Sequence, residues 1–281
     1  MNKTFRRAAM GLTLGGTLAA VCLAGAQAGQ DTNGASTDSS APGAQASLLD
    51  IDYKDGSLNS GIPDLTTTHA SAKDASLTVP SGDDHAVTHK VTLDDPGYES
   101  DGAPRSESAT NAVPEGQIHV GDEQRYEFDV QLKDWKTYEP GDSDSGDIFF
   151  QGKHAGGNKP SFYLMTKRDS IAFRSPLLGL QATVVDDFTS YVNKWMSFRV
   201  DVRWTDDETG YYKVSTRMPG EPGFTERKSY TKVKTFHPEN PTKLGYLKWG
   251  LYRPDQSTKN GDVPTREILH DNIRVTDLAT D

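Results

Sequence analysis

The chain of 281 residues predicts an all-β fold, a two-sheet sandwich or a barrel. Three observations predict it. Runs of alternating apolar and polar residues recur along the chain, Gly, Pro and Asn turns separate them, and helical periodicity is nearly absent after the first apolar stretch. Many short strands joined by such turns form a sandwich or a barrel.

The elements follow in order. Lys3, Arg6 and Arg7 precede an apolar stretch from Ala8 to Ala24, and the small residues Ala24-Gly25-Ala26 or Ala26-Gln27-Ala28 fit a cleavage site. Residues 1–28 therefore read as a secretory signal peptide, and export is expected. Residues 29–47 are small and polar, with one Pro and no large apolar side chain before Leu48. Such a segment cannot offset its own ordering entropy and reads as a flexible linker. Residues 48–281 have the length and uniform composition of one large domain, expected as a monomer.

Within that domain, Tyr126, Phe128, Val130 and Leu132 alternate with Glu127, Asp129 and Gln131, and Phe198, Val200, Val202 and Trp204 alternate with Arg199, Asp201 and Arg203. Both read as strands with one buried face. Further strands are expected over 148–153, 161–165, 170–174, 211–218 and 267–276, with turns at Thr209-Gly210, Pro219-Gly220, Pro222-Gly223 and Asn260-Gly261.

Composition excludes several classes. The one cysteine, Cys22, leaves with the signal, so the mature domain holds together without disulfides. Loss of the three signal cations takes the net charge from −10 to −13, with 27 basic against 40 acidic residues, and no basic patch marks a nucleic-acid partner. After signal removal no segment is long and apolar enough to span a bilayer.

The most informative stretch is Tyr246-Leu247-Lys248-Trp249-Gly250-Leu251-Tyr252-Arg253. Its period of two sends Leu247, Trp249 and Leu251 to a core and Tyr246, Lys248, Gly250 and Tyr252 to the opposite face. A phenol and an ammonium beside a glycine suit an acidic sugar. This strand resembles the Tyr-x-Lys-x-Gly-x-Tyr strand of jelly-roll polysaccharide lyases that cleave glucuronan, heparin and alginate, above all the glucuronan and heparin lyase type, in which an Arg commonly follows the last Tyr. Arg105-Ser106-Glu107, Gln151 with His154, and Asp271-Asn272-Ile273-Arg274-Val275 stand in the expected order, so the resemblance spans roughly residues 48–281.

The resemblance implies a β-jelly roll and a secreted lyase that cleaves a uronate-containing polysaccharide by β-elimination, leaving a C4=C5 unsaturated uronate. The reaction needs the carboxylate neutralised, the C5 proton removed and the C4 oxygen protonated. Arg105 and Gln151 are expected at the carboxylate, with Lys248 assisting, Glu107 orienting Arg105 and Tyr246 on the same face. Tyr252 and His154 match the catalytic pair, and where the C5 proton and C4 oxygen lie on one side, Tyr252 alone can serve both transfers. His154 stands three residues after Gln151, whereas related lyases often place Gln and His two apart, so a shared face requires a bulge, expected at Gly152. The partner is an acidic polysaccharide. No cofactor is required, but some relatives bind a structural Ca2+, for which Asp271, with an acidic residue near Asp50 or Asp52, is the expected ligand.

Gln117-Ile118-His119 copies an alginate lyase motif but sits among turn residues too close to Arg105, and reads as a decoy. His85 and His89 read as a solvent-exposed pair, and His69, His237 and His270 as surface or structural. Two other functions fit the fold class: a non-catalytic carbohydrate-binding sandwich, and a glycoside hydrolase, for which the expected Glu-x-Asp-x-x-Glu strand is absent.

Overall fold

A computed structural model describes residues 45–157, 159–236 and 244–279. The signal peptide, most of the linker and His237 lie outside the described residues. Sixteen strands are formed: β1 (Ser47–Ile51), β2 (Ser76–Ser81), β3 (Asp84–Thr92), β4 (Glu99–Ser100), β5 (Ala103–Ala109), β6 (Gln117–Ile118), β7 (Glu123–Lys133), β8 (Ile148–His154), β9 (Phe162–Lys167), β10 (Ser170–Ser175), β11 (Leu180–Val185), β12 (Met196–Arg203), β13 (Gly210–Arg217), β14 (Thr225–Val233), β15 (Gly245–Tyr252) and β16 (Thr265–Asp277). They make two antiparallel sheets. One runs β14-β13-β12-β7-β16-β3-β2 with β1 on β16, and the other runs β11-β10-β9-β8-β15-β5-β4 with β6 on β15. This is the jelly-roll sandwich expected from the sequence.

The alternating residues meet between the sheets. Tyr126, Phe128, Val130 and Leu132 of β7 and Phe198, Val200 and Val202 of β12 are buried, with Phe198 opposite Phe128 and Val200 opposite Tyr126. From the other sheet, Phe150 stacks on Phe128 at 3.9 Å between ring centroids, and Leu247, Trp249 and Leu251 are fully buried. Burial of side chains this large contributes about 1.5–3 kcal/mol each. Their polar tips are satisfied: Trp249 Nε1 donates to Tyr53 Oη at 2.9 Å and Trp204 Nε1 to Tyr126 Oη at 2.7 Å.

Three irregularities decide which side chains face the core. In β8 the pairing with β9 shifts between Ile148 and Phe150, so Phe149 is an extra residue and both phenylalanines are buried. In β15 the pairing with β8 shifts between Trp249 and Tyr252, around Gly250 at φ 139°. In β16 the pairing with β7 shifts between Asp271 and Arg274, with Asn272 at φ 52°. The last shift sets the direction of Asp271. Ile268 and His270 point inward before the bulge and Ile273 and Val275 after it, which leaves Asp271 facing away from the core.

The histidine expectations change as well. His89 is fully buried, with Nε2 sharing a 3.1 Å hydrogen bond with Ser108 Oγ, and it meets the buried His270 edge-on at 5.9 Å. His85 and His89 are therefore not a solvent-exposed pair: His85 stays partly exposed while His89 is in the core.

Candidate active site

The outward face of β15 presents Tyr246, Lys248, Gly250 and Tyr252, as alternation requires, and β5 and β8 flank it on either side. Register fixes the neighbours. Arg105 lies opposite Tyr252, Glu107 opposite Gly250 and Ala109 opposite Lys248 on one side; Gln151 lies opposite Lys248 and Lys153 opposite Tyr246 on the other.

Glu107 ties the three strands together. Its carboxylate accepts from Gln151 Nε2 at 2.5 Å through Oε1 and from Lys248 Nζ at 2.5 Å through Oε2. To reach Gln151 from β5 it passes over β15, and Gly250 lets the backbones of β5 and β15 approach closely. A Cβ there would stand 2.3 Å from Ser106 O and 2.7 Å from the Glu107 Cα. Lys248 and Glu107 are buried, so the pair is held in a medium that strengthens it.

Arg105 is less committed. Nη1 donates to Asp101 Oδ2 at 3.4 Å, Glu107 Oε2 stands 4.0 Å away, and Nε is buried without a hydrogen-bond partner. The guanidinium lies over the Tyr252 ring at 4.2 Å. Tyr252 itself packs on Ile148, Tyr163, Met165 and Ala172, and Ile148 is its partner across β8.

A cleft of roughly 170 Å³ opens beside these residues. Arg105, Glu107, Tyr246 and Lys248 form its floor, and the segment Thr66–His69 forms a wall. That wall is secured to β5 by two backbone hydrogen bonds between Thr66 and Ala109, at 3.2 and 2.9 Å. His69, read from the sequence as surface or structural, is an exposed residue of this wall. Around the cleft Arg105, Lys153 and Lys248 outnumber Asp101 and Glu107, a local positive excess on a strongly acidic chain.

His154 requires correction. The extra residue of β8 is Phe149, upstream of Gln151, and not Gly152, so His154 keeps the parity of the core. It is 1 % exposed, shares a 2.6 Å hydrogen bond between Nε2 and Ser161 Oγ, and packs against Phe236 at 4.4 Å and Trp204 at 6.0 Å. It faces away from Arg105 and Tyr252.

Sequence reasoning overlooked Lys153. It stands two residues after Gln151 and so shares its face, and that parity is the signal that finds it. Burial, then the neighbouring Lys248 and Arg105, hold its pKa below the ordinary lysine range, with Glu107 and Asp101 opposing. Tyr246, its partner across the strand, is pushed the other way by burial and then by Glu107 and Asp101.

Two of the expected calcium ligands are engaged with cations. Asp50 pairs with Arg274 at 2.8 Å and Asp52 with Lys54 at 2.8 Å. Among the described residues no group of three His, Cys, Asp or Glu side chains is arranged to hold a metal. Asp271 has instead a pKa raised to about 7 by burial, with Asp129, Asp84 and Asp52 adding to it. Arg253 is structural: its buried guanidinium donates to Asp147 at 2.9 Å and to the carbonyl of Val263 at 2.6 Å, fixing the chain that leaves β15.

A jelly-roll sandwich with a cationic cleft across three strands of one sheet is the class that this geometry defines. The family model for polysaccharide lyases matches residues 53–274, and the chain belongs to that family. Among solved structures it is similar to the endo-β-1,4-glucuronan lyase of the fungus Trichoderma reesei, with 18 % identity and a TM-score of 0.54 over 82 % of this chain and 95 % of that one. It is also similar to the PL-14 alginate lyase of Aplysia kurodai, with 12 % identity and a TM-score of 0.56 over 82 % and 98 %. At these identities the likeness establishes the fold. Comparison with curated protein sequences gives no match. Among the described residues no helix is long and apolar enough to cross a membrane.

Proposed function

We propose that the protein is a secreted lyase that cleaves a glucuronan-like polyuronate by β-elimination at the Arg105–Tyr252 cleft. The observation that carries this reading is the state of Arg105: a largely desolvated guanidinium with an unpartnered Nε, stacked on a phenol, beside a cleft. Such a group favours a carboxylate ligand and stabilises the charge that grows on it as C5 loses its proton. Lys248 and Gln151, both engaged by Glu107, set the shape and potential of the floor. Tyr252 is the proton donor to the leaving C4 oxygen. The resemblance of the β15 strand to that of glucuronan lyases supports a glucuronan-like substrate, and the acidic chain disfavours heavily sulfated ones. The N-terminal charged and apolar residues support export.

The test is kinetic. Tyr252→Phe keeps the ring on which Arg105 stacks and removes the proton; kcat is expected to fall by about 10²–10⁴-fold with binding of the polymer retained. Arg105→Ala is expected to weaken both binding and turnover. Wild-type turnover by Tyr252→Phe rules out Tyr252 as the donor.

A further inference from the structure

We propose that Lys153 is the base that removes the C5 proton. The inference rests on the lyase reading above and supplies the acceptor that His154, enclosed in the core, cannot be.

Four observations carry it. Lys153 shares the cleft face with Gln151 and lies directly opposite Tyr246, which lines the cleft. Its amine is within electrostatic range of Lys248, Arg105, Glu107 and Asp101, on the face of the sheet where Arg105 and Lys248 border the cleft. It is only partly exposed, and it makes no hydrogen bond or ion pair among the described residues, whereas Lys248 is fully engaged by Glu107. Its surroundings also lower its pKa: burial and two nearby cations disfavour the ammonium, against the weaker opposing pull of Glu107 and Asp101. A lysine desolvated in this way is the kind that serves as a general base.

The step balances without a further reactant. The neutral Nζ takes the proton from C5 and becomes an ammonium. The C5–H electron pair becomes the second bond of C4=C5, and the C4–O4 bond breaks with its pair on O4. O4 takes the Tyr252 proton, and water then reprotonates the phenolate and deprotonates the ammonium. The charges that act on Lys153 are Lys248 on β15, Arg105 and Glu107 on β5 and Asp101 before β5; the titratable phenols on the neighbouring strands are Tyr246 on β15 and Tyr163, opposite Gln151 on β9. His69, on the cleft wall, is the rival acceptor.

The experiment compares wild type, Lys153→Arg, Lys153→His and His69→Ala on glucuronan, following the absorbance of the unsaturated product, with polymer binding and circular dichroism measured in parallel. Arginine keeps the positive charge but cannot give up its proton. Lys153→Arg is therefore expected to fold and bind while kcat falls by about 10²-fold or more. Lys153→His is expected to recover part of kcat, with the rising limb of the pH profile moved to lower pH, while His69→Ala, which alters the cleft wall, is expected to keep the wild-type pH profile. Wild-type kcat in Lys153→Arg, or collapse of kcat in His69→Ala with Lys153→His inactive at every pH, overturns the assignment. A wild-type enzyme that generates no unsaturated product from any polyuronate refutes the lyase reading instead, so the two failures are distinct.

Discussion

Glu107 accepts two hydrogen bonds of 2.5 Å from two different strands while its own side chain is 4 % exposed. Its replacement by Gln leaves Lys248 with a buried, uncompensated charge, a change that costs roughly 3 kcal/mol. We expect Glu107→Gln to lower the urea midpoint accordingly and to reduce kcat/KM by more than tenfold, because Gln151 and Lys248 then lose the carboxylate that positions them on the cleft floor. Unchanged stability would show that the pair is not held as described. At this scale the sequence was partly legible. Arg105, Glu107, Gln151, Lys248, Tyr246 and Tyr252 are on one face, as alternation predicts. His154 is not, because residue type drew attention to it while its spacing from Gln151 pointed to the other face. Lys153 had the right spacing and an unremarkable identity; only its neighbours, which sequence order does not reveal, make it chemically distinct.

At the scale of the element, strands were legible and their irregularities were not. Periodicity locates β7, β12 and β15 because each buries one face, but a bulge is a local insertion with no compositional mark beyond an occasional Gly or Asn. Phe149, Gly250 and Asn272 each shift a strand by one residue, and these shifts determine where His154, Tyr252 and Asp271 point. Gly250 has the most direct consequence. Its φ of 139° and the 2.3 Å approach of Ser106 O leave no room for a side chain. Gly250→Ala is expected to destabilise the domain by at least about 2 kcal/mol and to lower activity by displacing Glu107. Equilibrium urea unfolding checks the first effect and product absorbance the second; an alanine variant with wild-type values for both would remove the bulge from the account.

Across the whole molecule, buried titratable groups predict how stability depends on pH. His89 has a pKa lowered to about 3 by burial, and His270 is depressed for the same reason, with His89 adding to it. Below about pH 6.5 the unfolded chain takes up protons that the folded one refuses, so both histidines lower stability as the pH falls from there. Asp271, raised to about 7, works in the opposite direction. The folded state holds its proton where the unfolded state has lost it, so stability drops as the pH rises from about 4 through 7 and is level above. Asp271→Asn should therefore raise the melting temperature by a few degrees at pH 8 and by much less at pH 5. An equal shift at both pH values would mean that the carboxyl is ionised in the folded state throughout. The chain's net charge of −10 repels polyanions at long range while the cleft cations attract them locally, and salt screens both, so polymer binding is expected to depend only weakly on ionic strength.

The most direct measurement is the ultraviolet absorbance of the C4=C5 uronate while purified mature protein acts on glucuronan, alginate, hyaluronan, heparin and pectate in turn. A rise with glucuronan, lost in Tyr252→Phe, is the predicted result. Shortened chains with no rise in absorbance, or a rise that survives in Tyr252→Phe, would contradict elimination at this cleft.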